Sequence, residues 1–295
     1  MDAVPLIAIT FAAAVVNGSL GYGFSSITVP LALLFLTNRV LNPALVLVEV
    51  ALNAYVLWVN RTALPAVHRR MLPIVLGLLP GVAAGTLVVS SVPADWLKLG
   101  TFSALLPLIL LQAAGFRRPI RAERSVGVPF GAGVGVLYSV TTISGPPLAV
   151  MLNNQGLARG EFRASLAFVR LAESTFTAAA YGYAGLYTAA NFALLPSIVP
   201  SLVVGVPLGA WLIRRLDAET FRRVCMSFDM WVVGFGVSTL LRQLHVVDGP
   251  AAYSVVGCAV ATDAALLYRF FTIGRPRALS YGAPRPNGSL YAHND

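Results

Sequence analysis

The sequence predicts an all-α integral membrane protein made of two inverted-topology repeats. Each repeat is a broken, re-entrant helix pair followed by three spanning helices, and one extra span closes the C-terminal end. Composition is the first ground for this: 57% of the 295 residues are hydrophobic and 11% are charged, whereas a soluble domain carries about 25% charged residues. Mean hydropathy is +0.75, and several apolar stretches exceed the roughly 18 residues that mark a spanning helix. The second ground is a duplicated, Gly/Pro-interrupted motif. The run from Gly18 through Gly21, Gly23, Phe24, Ser25 and Ser26 to Pro30-Leu31-Ala32 returns as Gly135 through Thr141, Thr142 and Ser144-Gly145-Pro146-Pro147 to Leu148-Ala149. The third is the alternation of basic and non-basic loops.

In chain order, the first interrupted segment covers 3–37 and is followed by spans at 43–59, 72–90 and 97–114. The second covers 126–153, with spans at 164–182, 192–213 and 223–241, and the last span covers 251–270. Each span is near the roughly 20 residues that cross a hydrocarbon core. The units are therefore a first repeat (1–114), a basic linker (115–125), a second repeat (126–243), an additional helix (250–271) and a polar, Pro/Gly/Arg-rich flexible tail (272–295). The N-terminal stretch lacks the basic region of a signal peptide and is expected to belong to the mature fold.

Charge sets the orientation. Loop 60–71 holds Arg61, Arg69 and Arg70; loop 115–125 holds Arg117, Arg118, Arg121 and Arg124; loop 214–223 holds Arg214, Arg215, Arg222 and Arg223. Segments 91–96 and 183–191 hold no Lys or Arg. Placing the basic loops in the cytoplasm puts both ends of segment 126–153 inside and both ends of segment 3–37 outside, with the C-terminus cytoplasmic. Each segment must then enter and return on one side. The halves are inverted copies, and their tips are expected near the bilayer midplane, where transporters of this design hold substrate. Irregular backbone at that depth must be buried or line a wet cavity.

The tips carry the candidate binding residues: Gly21, Gly23, Phe24, Ser25 and Ser26 in the first, Thr141, Thr142, Ser144 and Gly145 in the second. Ser144 before Gly145-Pro146 reads as a helix cap. Ser25 and Ser26 offer hydroxyl caps to a short helix ending near Leu36. Helix N-termini favour anions; kinking of packed helices is the plainer reading of the same glycines and prolines. Intramembrane ionisable residues are costly and point to function. Arg170 is the expected cationic clamp for an oxyanion, or else one partner of a buried pair with Glu173 or Glu49. Glu49, Glu173 and Asp229 are candidates for a coupling proton or an ion pair, while Asp229 and Asp263 are expected near span ends. Asn17 and Asn53 are weaker polar candidates. Gly77/Gly81/Gly85 and Ser201/Gly205/Gly209 are small-xxx-small stripes that let helices approach closely.

Other functions are disfavoured. The net charge of +9 sits in short loops beside spans, so it reads as topology and not as nucleic-acid binding. Cys225 and Cys258 lie in apolar segments without CxxC spacing. HExxH, GxSxG and P-loop patterns are missing from the sequence, so neither an enzyme nor an ATP-driven pump is expected, and no cofactor or metal.

With these motifs the chain resembles the sulfite exporter TauE/SafE family. The resemblance rests on Gly21-Tyr22-Gly23-Phe24 leading to Pro30-Leu31, on Gly133 and Ser144-Gly145-Pro146-Pro147-Leu148, and on the Gly81/Gly85 and Gly205/Gly209 elements, over roughly 5–245. Tyr138-Ser139-Val140 stands where another Gly-rich turn is expected. The resemblance implies an inner-membrane permease for sulfite, sulfonates or related organic anions. A secondary transporter with a midplane site, taking a small anion with protons as the candidate coupling ion, is the expected function. A passive anion channel and a non-transporting membrane subunit are the alternatives.

Overall fold

In the computed structural model the described residues are 3–113, 123–153, 157, 159–212, 215 and 218–272. The linker and tail assigned from sequence to 115–125 and 272–295 lie almost wholly outside them. Among the described residues the chain is helical throughout, with no strand. The helices are α1 (Ala3–Leu20), α2 (Phe24–Ala32), α3 (Asn38–Val59), α4 (Leu64–Ser91), α5 (Ala94–Ala113), α6 (Glu123–Thr141), α7 (Gly145–Asn153), α8 (Arg159–Tyr183), α9 (Ala189–Phe192), α10 (Leu195–Leu212), α11 (Ala218–Gln243) and α12 (Ser254–Thr272).

Among the described residues, five stretches are long and apolar enough to cross a membrane: Asn38–Val59, Arg61–Ser91, Ala189–Leu212, Arg223–Gln243 and Gly249–Thr272. The spans expected at 97–114 and 164–182 are α5 and α8, which fall outside that set. In α8 the charges Glu161, Arg163, Arg170 and Glu173 lower the hydropathy, and most of the helix from Ala164 to Thr177 is enclosed by protein. A helix so enclosed satisfies its polar groups internally instead of facing lipid. The lipid-facing surface is apolar: Leu72, Leu76, Leu79, Leu87, Val203, Phe228 and Phe235 are all exposed. At the basic ends of α3 and α10, Arg61 lies over the Trp58 ring at 4.9 Å and Arg215 over Trp211 at 4.3 Å. Such aromatic and basic residues anchor helices at a membrane interface.

Helices α3 and α4 start earlier than the spans read at 43–59 and 72–90, and Pro43 and Pro73 lie inside them. Proline removes the donor for the carbonyl four residues back. For Pro43 that carbonyl is Arg39 O, and Asn191 Nδ2 donates to it at 2.9 Å. Arg39 itself donates to the carbonyls that α4 leaves open at its C-terminus: Val89 at 3.0 Å and Ser90 at 2.8 Å.

The packing crosses between the two halves. Helix α1 lies along α10, and α6 lies along α4. Contacts advance in step, Gly205 against Phe11 and Ala14 and then Gly209 against Val15, so each pair runs parallel. A Cβ at Gly77 would stand 2.1 Å from Val128 O, at Gly81 2.1 Å from Ala132 O, and at Gly131 2.1 Å from Ile74 O. Only a hydrogen side chain permits that approach. The stripe on α4 thus meets a matching one on α6, Gly127/Gly131/Gly135, which the sequence reading did not single out. One hydrophobic core gathers α1, α2, α3, α5 and α11, and a second gathers α4, α6, α7 and α8. Val46, Tyr138 and Tyr181 form a small cluster joining α3, α6 and α8.

Gly81→Ala should force the α4–α6 pair apart, at a cost of about 1–3 kcal/mol. Gly133→Ala, where an added Cβ meets nothing within 4 Å, should leave stability unchanged or raise it by up to about 1 kcal/mol through helix propensity. Thermal unfolding of both variants in detergent checks the contrast.

Candidate functional site

Each interrupted segment turns between two helices, from Leu20 to Phe24 in the first and from Thr141 to Gly145 in the second. Gly21 (φ 83°) and Gly23 (φ 106°) adopt the left-handed backbone that turns the chain at the first break. At the second, Thr142 takes φ 55°, an unusual conformation for a β-branched residue. It is held there by its hydroxyl, which donates to Thr141 O at 2.7 Å. The breaks touch: a Cβ at Gly145 would lie 3.4 Å from the ring of Tyr22.

Breaking a helix inside a membrane frees its last carbonyls, and each must find a donor. In α6 they all do. Tyr138 O accepts from Thr142 N at 2.6 Å. Ser139 O accepts from the Tyr181 hydroxyl. Val140 O accepts from Asn42 Nδ2 at 2.7 Å and Asn38 Nδ2 at 3.4 Å. Thr141 O takes the Thr142 hydroxyl. Asn38, Asn42 and Tyr181 escaped the sequence reading. A polar residue in an apolar helix was visible there, but its partner on another helix was not.

The ionisable residues meet beside the breaks. Glu49 is fully buried in the middle of α3, and Arg170 of α8 is 3% exposed. Arg170 Nη2 donates to Glu49 Oε1 at 2.7 Å. Ser25, from the first break, donates to the same oxygen at 2.6 Å. The Tyr138 hydroxyl, from the end of α6, donates to Glu49 Oε2 at 2.7 Å. Glu173, one turn along α8, accepts from the Ser144 hydroxyl of the second break through Oε2, while its Oε1 has no hydrogen-bond partner. Of the two pairings open to Arg170, the structure forms the one with Glu49. Each break thus sends one serine to one carboxylate, and Tyr138, where a Gly-rich turn was expected, is a ligand of Glu49.

Other candidates fall differently. Ser25 and Ser26 do not cap α2, whose N-cap is Gly23 without a side-chain bond; the Ser25 hydroxyl is drawn away by the charged carboxylate. Phe24 is buried in the first core, and Thr141 bonds its own backbone at Leu137 O, 2.7 Å. Asp229 and Asp263 lie mid-helix and not at span ends. Asp263 accepts from Arg223 at 2.9 Å, Ser227 at 3.0 Å and Trp231 at 3.1 Å, which ties α12 to α11 away from the breaks. Asp229 is 6% exposed on α11. Asn17 lines a cavity of about 540 Å³ between α1, α3 and α10, together with Gly21, Val48, Leu52 and Arg163. The buried Asn17 Oδ1 and Asn53 Nδ2 have no hydrogen-bond partner.

Apolar helices enclosing a charged centre at two helix breaks define a multi-pass membrane protein of the transport class. The chain belongs to the sulfite exporter TauE/SafE family, whose profile matches residues 6–235. Over 174 residues it is 29% identical to a protein of Cupriavidus necator named probable sulfite/organosulfonate exporter TauE. That match covers 57% of this chain and 66% of the relative, slightly under two thirds of its length. No solved structure matches the chain.

Asp263→Ala should destabilise the protein by about 3–5 kcal/mol, because it leaves the Arg223 charge buried without its carboxylate. Chemical unfolding of the purified variant measures this.

Proposed function

We propose that the protein is a secondary transporter of small anions, sulfite or organosulfonates foremost, in the bacterial inner membrane with its C-terminus in the cytoplasm. The observation that carries this reading is the buried Arg170 guanidinium beside both helix breaks. Guanidinium binds oxyanions through paired hydrogen bonds, and family membership supports a sulfur oxyanion as cargo. In this reading the halves 1–114 and 126–243 are inverted repeats, and 250–271 is an added helix.

The binding residues are Gly21, Gly23, Phe24, Ser25 and Ser26 of the first break, Thr141, Thr142, Ser144 and Gly145 of the second, and Arg170. Backbone N–H groups at the starts of α2 and α7 add partial positive charge. Glu49, Glu173 and Asp229 are the carboxylates available to carry a coupling proton. The cavity bearing Gly21 and Arg163 is also lined by Asn60, beside the basic loop 60–71, and in this reading serves as the inner approach. The parallel α1–α10 and α4–α6 pairs, seated on glycine, are the units that move together.

Proteoliposomes loaded with labelled sulfite or a short alkylsulfonate test the reading. Saturable flux supports a carrier; flux that is linear in concentration means a channel; no flux for any anion overturns the proposal. Arg170→Lys keeps the charge but loses the planar fork. It should weaken anion affinity about tenfold or more, the equivalent of one charge-assisted hydrogen bond, while the protein still purifies as a folded species.

A further inference from the structure

Arginine presents two donor hydrogens side by side, on Nε and Nη2, the edge that a carboxylate or sulfonate grips with two oxygens. In Arg170, Nη2 already serves Glu49 Oε1 at 2.7 Å, while Nε has no hydrogen-bond partner although the residue is 3% exposed. A two-oxygen anion on this edge brings a second negative charge to a guanidinium already paired with Glu49.

We propose that Glu49 is the internal competitor of the transported anion for Arg170, and that a proton on Glu49 admits the anion. This rests on the reading that Arg170 holds the substrate. Two anions on one buried guanidinium leave an uncompensated negative charge, which a desolvated site does not tolerate. The groups facing Glu49 are Arg170 and Glu173 from α8, Tyr138 from α6 and Ser25 from α2. Arg170 supplies the positive charge in both states. Ser25 and Tyr138 hold the ionised carboxylate until the proton arrives.

The step balances. A proton from water on the open side adds to the Glu49 carboxylate, and the hydrogen bond from Nη2 to Oε1 breaks. Nε and Nη2 then donate to two oxygens of the incoming anion. On the other side the anion departs, the proton returns to water, and Oε1 retakes Nη2. One proton accompanies one singly charged anion, so the step is electroneutral: flux answers to a pH gradient and not to membrane potential.

The full-length protein in proteoliposomes, with ethanesulfonate as the probe, tests this. A sulfonate stays ionised across pH 5–8, so any pH response belongs to the protein. Wild-type protein should accumulate ethanesulfonate about tenfold at steady state under a gradient of one unit, acid on the loading side, as for one coupled proton, and ignore an imposed potassium-diffusion potential. Glu49→Gln should bind ethanesulfonate at pH 7.5 at least as tightly as the wild type does at pH 5.5. It should also lose both the pH response and accumulation against a gradient. Should Glu49→Gln fail to fold, Tyr138→Phe provides the second test. It removes a donor to the ionised carboxylate and should move the pH midpoint of uptake upward by about one unit. An unchanged midpoint, a Glu49→Gln variant that keeps its pH response, or loss of that response in Glu173→Gln alone overturns the inference. A wild-type protein that carries no anion overturns the transport reading itself.

Discussion

The arrangement of the bundle centre depends on one constraint: Glu49 and Arg170 are both inside the protein, and neither can be there alone. Burying a lone charge costs several kcal/mol, and a paired one is tolerated only when its remaining donors and lone pairs are met. Meeting them draws four helices to one point. Arg170 brings α8, Glu49 brings α3, Ser25 brings the start of α2, and Tyr138 brings the end of α6. Glu173 and Ser144 draw in the second break, while Nε of Arg170 and Oε1 of Glu173 stay without hydrogen-bond partners.

The breaks can exist because two other demands are met nearby. Close backbone contact at the glycine stripes lets α1 and α6 lie against α10 and α4, so each broken helix is supported along its length. The carbonyls freed at the end of α6 find donors in Asn38, Asn42, Tyr181 and the turn itself. Without those donors the second break would expose unsatisfied backbone in an apolar setting, and a continuous helix would win. The hydrogen bonding of the backbone thus places the serines, and the serines meet the carboxylates.

Much of this could be read from the chain. The repeated Gly-rich runs located both breaks, the small-residue stripes located two of the close helix contacts, and the rarity of charge in apolar sequence singled out Glu49, Arg170 and Glu173. Hydropathy placed span starts less well. The spans read at 43–59 and 72–90 begin earlier, with Pro43 and Pro73 inside the helices, and the carbonyl that Pro43 leaves without its donor is served by Asn191, far along the chain. Helix α8, read as a span at 164–182, carries several charges because protein, not lipid, surrounds its central turns. Tyr138 looked like a lapse in a glycine pattern; its hydroxyl has a purpose only once α3 lies beside it.

By itself the sequence determined an all-helical membrane protein, the family, the two Gly/Pro-rich turns and most of the buried charges; Arg223, counted with the loop 214–223, is instead buried in α11. These follow from composition, periodicity and backbone freedom, which are local properties of the chain. Tertiary structure alone decided that Arg170 pairs with Glu49 and not with Glu173, that Ser144 serves Glu173, and that Asp263 is held by α11 away from the breaks. Each outcome depends on which side chains face one another across helices distant in sequence. A buried charge must have a partner, but nothing in the linear chain says which one.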